Sequence, residues 1–453
     1  MSFPRYSEYK DSGVEWLGKV PGHWKVSALK RGFRIIGGST PKSDCDAYWD
    51  GAITWVTPAD LSKLSTFEIA DSQRKITEEG LASCGTTLVP VGSIVLSTRA
   101  PIGSLAIADS ELCTNQGCKA IVPTEHVYSR FFAYLLSIAT EELNIRGKGT
   151  TFLELSGDEL GAFDVVLPTV DEQHAIAAFL DRETAKIDAL VAEQKKLIAL
   201  LREKRQAVIS HAVTKGLDPA GSRKDSGIEW LGEVPAHWGT TRLKFVAAIQ
   251  TGVAKGKDNS GRKTITVPYL RVANVQDGYL DLDDIADIEI PAEDLDRYSL
   301  RPGDVLMNEG GDFDKLGRGH VWNGEIEPCI HQNHVFAVRP VAVSSELLSW
   351  ITSSDYAQFY FMGRSKQSTN LASISSSNIM ELPVVLPPRS DQQEIATYLA
   401  EEAGRIDELV HGSEAAIALL KERRDALISA AVTGKIDVRG LAAAPVSLAT
   451  SCV

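Results

Sequence analysis

The sequence predicts mixed α/β (α+β) domains in duplicate, each followed by a long coiled-coil helix, with an internal pseudo-two-fold symmetry. Three observations predict this. The stretch KDSGVEWLGKVPGHW at 10–24 returns as KDSGIEWLGEVPAHW at 224–238, identical at 12 of 15 positions. Residues 176–218 return at 395–437, identical at 21 of 43 positions. Both copies of this second segment alternate steps of four and three residues along a seam, the mark of a coiled coil. A repeat on this scale organises a chain before any local signal does.

In the first helix the seam runs Ile176, Leu180, Glu183, Ile187, Leu190, Gln194, Leu197, Leu201, Lys204 and Val208. In the second it runs Ile395, Leu399, Glu402, Ile406, Leu409, Ser413, Ala416, Leu420, Arg423 and Leu427. A helix of roughly 40 residues is about 60 Å long. Polar seam residues such as Glu183 and Gln194 weaken a pair while fixing its register. Gly404 and Gly412 soften the second helix.

Between the repeated ends, short aliphatic runs (92–96, 118–123, 305–307, 334–340) alternate with Gly-, Pro- and Asn-containing turns and imply a substantial sheet. Segments 128–143 and 344–362 read as short helices packed on it. A weak common frame links the two middles: 55–60 echoes 269–274, 92–96 echoes 303–307, and 165–168 echoes 384–387. The resulting parse is a first domain at 1–170, a helix at 171–218, a second domain at 219–390, a helix at 391–437 and a flexible tail at 438–453.

Composition limits the function. The 453 residues carry 47 Lys plus Arg against 60 Asp plus Glu, a formal net charge of −13. Hydrophobic and charged shares of 43% and 24% are those of a globular chain, not a disordered one. Neither half is basic: 1–218 holds 24 basic and 28 acidic side chains, and 219–453 holds 23 and 32. Any nucleic-acid contact must therefore be local, carried by a few Arg- and Lys-bearing loops. The N-terminus shows no apolar leader, no stretch approaches the roughly 20 apolar residues that span a bilayer, and six cysteines are thinly scattered. A cytoplasmic protein with reduced thiols and no membrane partner is expected.

Three motifs imitate chemistry without completing it. The stretch 256–264 resembles a phosphate-binding loop, but Arg262 interrupts the Gly-Lys-Thr core. Cys329, His331 and His334 suggest zinc yet lack a fourth ligand at a recognisable spacing. The acidic run 281–284 lacks the Gly and closing Glu of a calcium loop. No metal, dinucleotide fingerprint or catalytic constellation is expected, so the chain reads as non-catalytic.

The two cassettes, together with LSTRAPIG (96–103), TNQGCKAIVP (114–123), GTTFLELS (149–156) and VVLPTVDEQHAI (165–176), resemble the specificity subunit of type I restriction–modification enzymes. The resemblance covers roughly 5–437 in the family's order. It implies two target-recognition domains, each reading one half of a bipartite site in double-stranded DNA, and two helices packed antiparallel as a ruler for the spacer. It also implies two methyltransferase (modification) subunits carrying S-adenosylmethionine, and two motor-nuclease (restriction) subunits using ATP and Mg. This chain itself would bind none of these cofactors. Changing the linker at 214–223 is expected to alter the spacer.

A sequence reader needs phosphate anchors and side chains that reach base edges. In the first domain the candidates are Ser97, Thr98 and Arg99, Gln116 and Lys119, and the loop residues Arg146, Lys148, Thr150 and Thr151. In the second they are Asn308 (in Asn308-Glu309-Gly310), Gln332 and Asn333, and Arg364, Lys366, Ser368 and Asn370. Arg suits guanine, and Asn or Gln suits adenine, by bidentate hydrogen bonds. Gln116 and Gln332 align and could instead satisfy backbone groups. The cassette tryptophans (Trp16, Trp24, Trp230, Trp238) are near-identical between two domains expected to read different bases, so core packing or partner docking suits them better. The competing readings are the specificity subunit of a stand-alone adenine methyltransferase and a duplicated scaffold that binds no DNA.

Overall fold

The computed structural model describes residues 3–99, 101–148, 153–256, 261–311, 316–367 and 372–441. The chain divides into two compact units, but not at the linear boundaries above. One unit joins residues 1–193 to 416–453, and the other is 194–415. Each of the two long helices, Val170–Lys215 and Arg389–Val432, gives its first half to one unit and its second half to the other. Residues 214–223 thus lie wholly inside unit 2. There Arg223 Nη1 donates to the carbonyl of Lys215 at 3.1 Å.

In unit 1, a five-stranded sheet runs in the order Phe33–Gly37, Cys118–Pro123, Ile94–Thr98, Ile102–Ala108, Glu68–Ile69, antiparallel except at its last pair. The aliphatic runs that predicted it alternate poorly, as strands buried on both faces do, and Ile94 through Thr98 are all buried. Helix Ser129–Ile138 covers the sheet, with Phe132 set edge-on to Phe33 at 4.8 Å. In unit 2 the corresponding sheet has the order Ala247–Thr251, Val335–Pro340, Val305–Asn308, Gly319–Val321. Helices Ser345–Thr352 and Asp355–Arg364 stand where one short helix was expected, divided at Ser353 and Ser354.

The start of each long helix is clamped to its own cassette. In unit 1, Thr169 and Glu172 form a capping box, the carboxylate accepting from the Thr169 amide at 3.2 Å and Oγ1 at 3.0 Å. Glu172 also pairs with His23 at 2.8 Å and accepts from the Trp24 indole at 3.4 Å. Unit 2 repeats this with Asp391, His237 at 2.9 Å and the Trp238 indole at 3.0 Å. Each helix ends on a left-handed glycine, Gly216 at φ 72° and Gly434 at φ 74°. A Cβ on Gly434 would sit 2.3 Å from Pro21 Cδ and 3.0 Å from the Trp24 ring, so only glycine fits. Residues after this turn stay on unit 1: Val438 is fully buried and Arg439 pairs with Asp437 at 2.6 Å. Residues 442–453 of the expected tail lie outside the described residues.

The helical seam departs from the expected one. Ile187, Ile198 and Leu201 are buried, but Leu190 and Leu197 are 52% and 43% exposed, as is their counterpart Leu409 at 55%. The line of buried and half-buried residues steps from 187 to 191, 194, 198 and 201 rather than through 190 and 197. Apolar neighbours stand side by side at Leu190-Val191 and Leu197-Ile198. A seven-residue repeat accommodates either choice, and packing selects one.

Candidate nucleic-acid interface

The central strands of each unit end at an edge where the backbone crosses itself closely. In unit 1 the edge is formed by the ends of Ile94–Thr98, Cys118–Pro123 and Phe33–Gly37. A Cβ on Gly38 would lie 2.2 Å from the carbonyls of Thr114 and Asn115. Gly252 occupies the same place in unit 2, with the carbonyl of His331 at 2.0 Å. This crowding fixes which side chains leave the edge.

Ser97 and Thr98 do not leave it. Both are fully buried: Ser97 Oγ donates to the Pro101 carbonyl at 2.7 Å and accepts from the Ser104 amide at 3.0 Å, while Thr98 Oγ1 donates to the Gly117 carbonyl at 3.2 Å. Their hydroxyls staple the turn from inside and do not face solvent. The Arg99 side chain, half-exposed, makes no ion pair or hydrogen bond among the described residues, and neither does the side chain of Lys119 at the head of the adjacent strand. Gln116 is exposed and accepts from the Thr40 hydroxyl. Arg146 closes helix Thr140–Ile145 with its guanidinium 5.2 Å from the Phe163 ring. Lys148 is exposed but engaged by Glu159 at 2.6 Å, which holds that carboxyl below its ordinary range. Thr150 and Thr151 lie outside the described residues.

In unit 2 the ladder corrects the sequence alignment by one residue. Cys118 faces Ser97 as Val335 faces Asn308, so Gln116 corresponds to Asn333, and Asn115 to Gln332. The amides of Asn115 and Gln332 both donate at 2.9 Å to the strand alongside, at Val56 and Leu270. Asn308 is buried, its Nδ2 donating to the Val275 carbonyl at 2.7 Å and its Oδ1 unpartnered among the described residues. Like Ser97, it points inward and is not placed to meet DNA. The residue after it points out: Glu309 pairs with His334 at 2.6 Å. Sequence reasoning bet on Asn308 and treated His334 as a zinc decoy. Gln332 and Asn333 are half-buried beside this pair. Arg364 is exposed, its guanidinium 5.6 Å from the Tyr360 ring, and Lys366 is exposed with no ion-pair partner among the described residues. Ser368 and Asn370 lie outside the described residues.

The remaining motifs are structural. His331 is buried, bonded through Nδ1 to the Val335 carbonyl at 2.7 Å, and burial pushes its pKa down. Burial pushes the thiols of Cys113, Cys118 and Cys329 up to about 12, so none is a ready nucleophile. Of the 256–264 stretch, residues 257–260 lie outside the described residues. In the acidic run 281–284, the Asp281 carbonyl accepts from Asn274 Nδ2 and Asp284 pairs with Arg271. Trp24 and Trp238 are core residues, Trp16 stacks on Phe163 at 5.3 Å, and Trp230 stays 39% exposed beside Tyr356. No helix among the described residues is long and apolar enough to cross a membrane.

Two long helices, sheets covered by short helices, and cations at the strand ends that are unpaired among the described residues define a mixed α/β protein. Two solved structures share the fold. One, from work on the assembly and conformational transition of a type I R-M system, matches at a TM-score of 0.65 and 18% identity over 91% of this chain and 98% of that one. The HsdS subunit from Thermoanaerobacter tengcongensis matches at 0.50 and 16% over 92% and 98%. Residues 21–199 match the family described as Type I restriction modification DNA specificity domain. The chain is 27% identical over 443 residues to the type I restriction enzyme MjaIX specificity subunit of Methanocaldococcus jannaschii, covering 96% of this chain and 98% of the relative. It is 23% identical over 340 residues to the EcoKI specificity subunit of Escherichia coli K12, covering 72% and 70%. Over most of its length the chain is similar to type I restriction enzyme specificity subunits.

Proposed function

We infer that this chain is the non-catalytic DNA-specificity subunit of a type I restriction–modification complex. Unit 1 reads one half of a bipartite site and unit 2 the other. The observation that carries the reading is the duplication of the whole reader. Equivalent strand-end edges carry Arg99, Gln116 and Lys119 in one unit, and Asn333 in the other. Equivalent loops carry Arg146 and Lys148, and Arg364 and Lys366. Arg fits guanine and Asn or Gln fits adenine at base edges, while lysines suit phosphates.

The two helices form an antiparallel coiled coil that sets the spacer. Support comes from one ion pair written twice: Arg424 meets Asp188 at 3.0 Å in unit 1, and Arg205 meets Asp407 at 3.0 Å in unit 2. Two modification subunits carrying S-adenosylmethionine dock on these helices, at leucines that face solvent. Unit 1 displays Leu190 and Leu419, and unit 2 displays their repeats, Leu409 and Leu200. Two motor-nuclease subunits using ATP and Mg complete the complex. Inserting seven residues after both Glu193 and Ala415 lengthens the helices by about 10 Å at 1.5 Å per residue. Sequencing of methylated sites should then show a spacer longer by about three base pairs, at 3.4 Å each, with both half-sites intact. Altered half-sites with a fixed spacer would sink the reading.

A further inference from the structure

We propose that Glu309, held by His334, reads a cytosine in the half-site of unit 2. The inference rests on the DNA-specificity reading and deepens it. Glu309 is fixed on both sides by the backbone. Its amide donates to the His334 carbonyl at 2.9 Å, and its carbonyl accepts from the Ile374 amide at 2.9 Å. Gly310 and Gly311 then pair with Ser373 and Ala372 in a small sheet whose third strand is Lys366–Gln367. One carboxylate oxygen, Oε2, accepts from His334 Nδ1 at 2.6 Å, and the ring's Nε2 lies 3.4 Å from the Asn333 amide nitrogen. The other oxygen makes no bond among the described residues, and the side chain is 28% exposed.

The fold does not need this pair. In unit 1 the equivalent positions are Thr98 and Gly117, joined by the same backbone bond at 2.8 Å and carrying no charge. An exposed His–Glu contact adds little stability, and a carboxylate at an edge that meets DNA is repelled by the DNA backbone. It is useful there only if it gains a donor from a base. A carboxylate accepts and cannot donate. Guanine and thymine offer acceptors in the major groove, and adenine sets its N7 acceptor beside its amino group. Cytosine offers the N4 donor alone. The row Asn333, His334, Glu309 therefore presents an oriented acceptor, with His334 as the positioning residue.

The test maps methylated sites in cells carrying the full chain with its modification subunits. Glu309→Gln converts one acceptor to an amide that suits adenine N6 and N7. Modification of sites bearing adenine at one position should rise at least about tenfold relative to cytosine, the lower end of direct base discrimination. Arg99→Ala should alter only the opposite half-site. An unchanged motif, a change at a base other than cytosine, or a change in the half-site altered by Arg99→Ala overturns the proposal. So does a Glu309→Gln chain whose inactivity Glu309→Asp does not relieve. A wild-type chain that directs no two-part motif would instead count against the function itself.

Discussion

The two units agree where helices meet cassettes and differ where strands end. At the joints, Glu172 with His23 and Trp24 reappears as Asp391 with His237 and Trp238. Gln173 and Gln392 each accept from a backbone amide, at Tyr128 and Ser344. Away from the joints the chemistry changes. A turn that ends on buried Ser93 in unit 1 ends on Asp304 in unit 2, bonded to both Nε and Nη2 of Arg339 at 2.7 Å. Glu159, which neutralises Lys148, becomes Asn378, which bonds the Arg364 carbonyl, and Lys366 has no ion-pair partner among the described residues.

The largest expected break is at Asp304. Asp304→Ala leaves a partly buried guanidinium unpaired and should cost about 3 kcal/mol. Ser93→Ala at the matching turn should cost about 1 kcal/mol. Hydrogen exchange in strands Val305–Asn308 and Ile94–Thr98 reads each unit separately, and similar losses would erase the distinction. Restoring unit 1's pattern with Asp304→Ser and Arg339→Val together should recover most of the loss.

A smaller effect concerns acid. Burial raises the pKa of Glu172, but hydrogen bonds from His23 and Thr169 bring it net below the usual range. Asp391 is likewise raised by burial and brought lower by His237, Trp238 and Ser390. Groups depressed in the folded state stabilise it above their ordinary carboxylate values, about 4, and that contribution fades as pH falls through the lowered ones. Exchange protection at both helix starts should therefore drop on acidification. Glu172→Gln should flatten the response in unit 1 alone, and a flattened response in unit 2 as well would show that the joints are not independent.

The smallest effect separates the lysines. Lys366→Ala should weaken DNA binding by the assembled complex and reduce the slope of log affinity against log salt by about 1. Lys148→Ala should change it less, because Glu159 already offsets that charge. Equal slopes would mean that Glu159 releases Lys148 on DNA.

Much of this organisation was legible in the residues. The cassettes, the helices and the paired sheets follow from repeats and periodicity, which are local properties. What escaped depended on choices between neighbours. Leu190 and Val191 are equally apolar, so only packing reveals which one lies on the seam. Ser97 and Asn308 look like readers by residue type, but both strands are buried through these positions, and only beyond Asn308 does a side chain, Glu309, reach solvent. The offset of one residue between Gln116 and Asn333 is set by ladder register, and the sequence pattern there tolerates either alignment.

The packing of Val438 and Arg439 on unit 1 bears on the order in which the protein is made. Unit 2 is continuous in sequence and complete once residue 415 has emerged. Unit 1 begins the chain but draws Ile428, Ala431, Val432 and Val438 from its far end into its core. The Asp437 amide closes that core against the Pro4 carbonyl at 2.8 Å. Contacts so distant in sequence form late and slowly. The first unit translated is thus the last to be finished, and it must wait with an open apolar face through most of synthesis. A chain truncated after residue 415 but before its final turn of helix would carry a sound second unit and an incomplete first one.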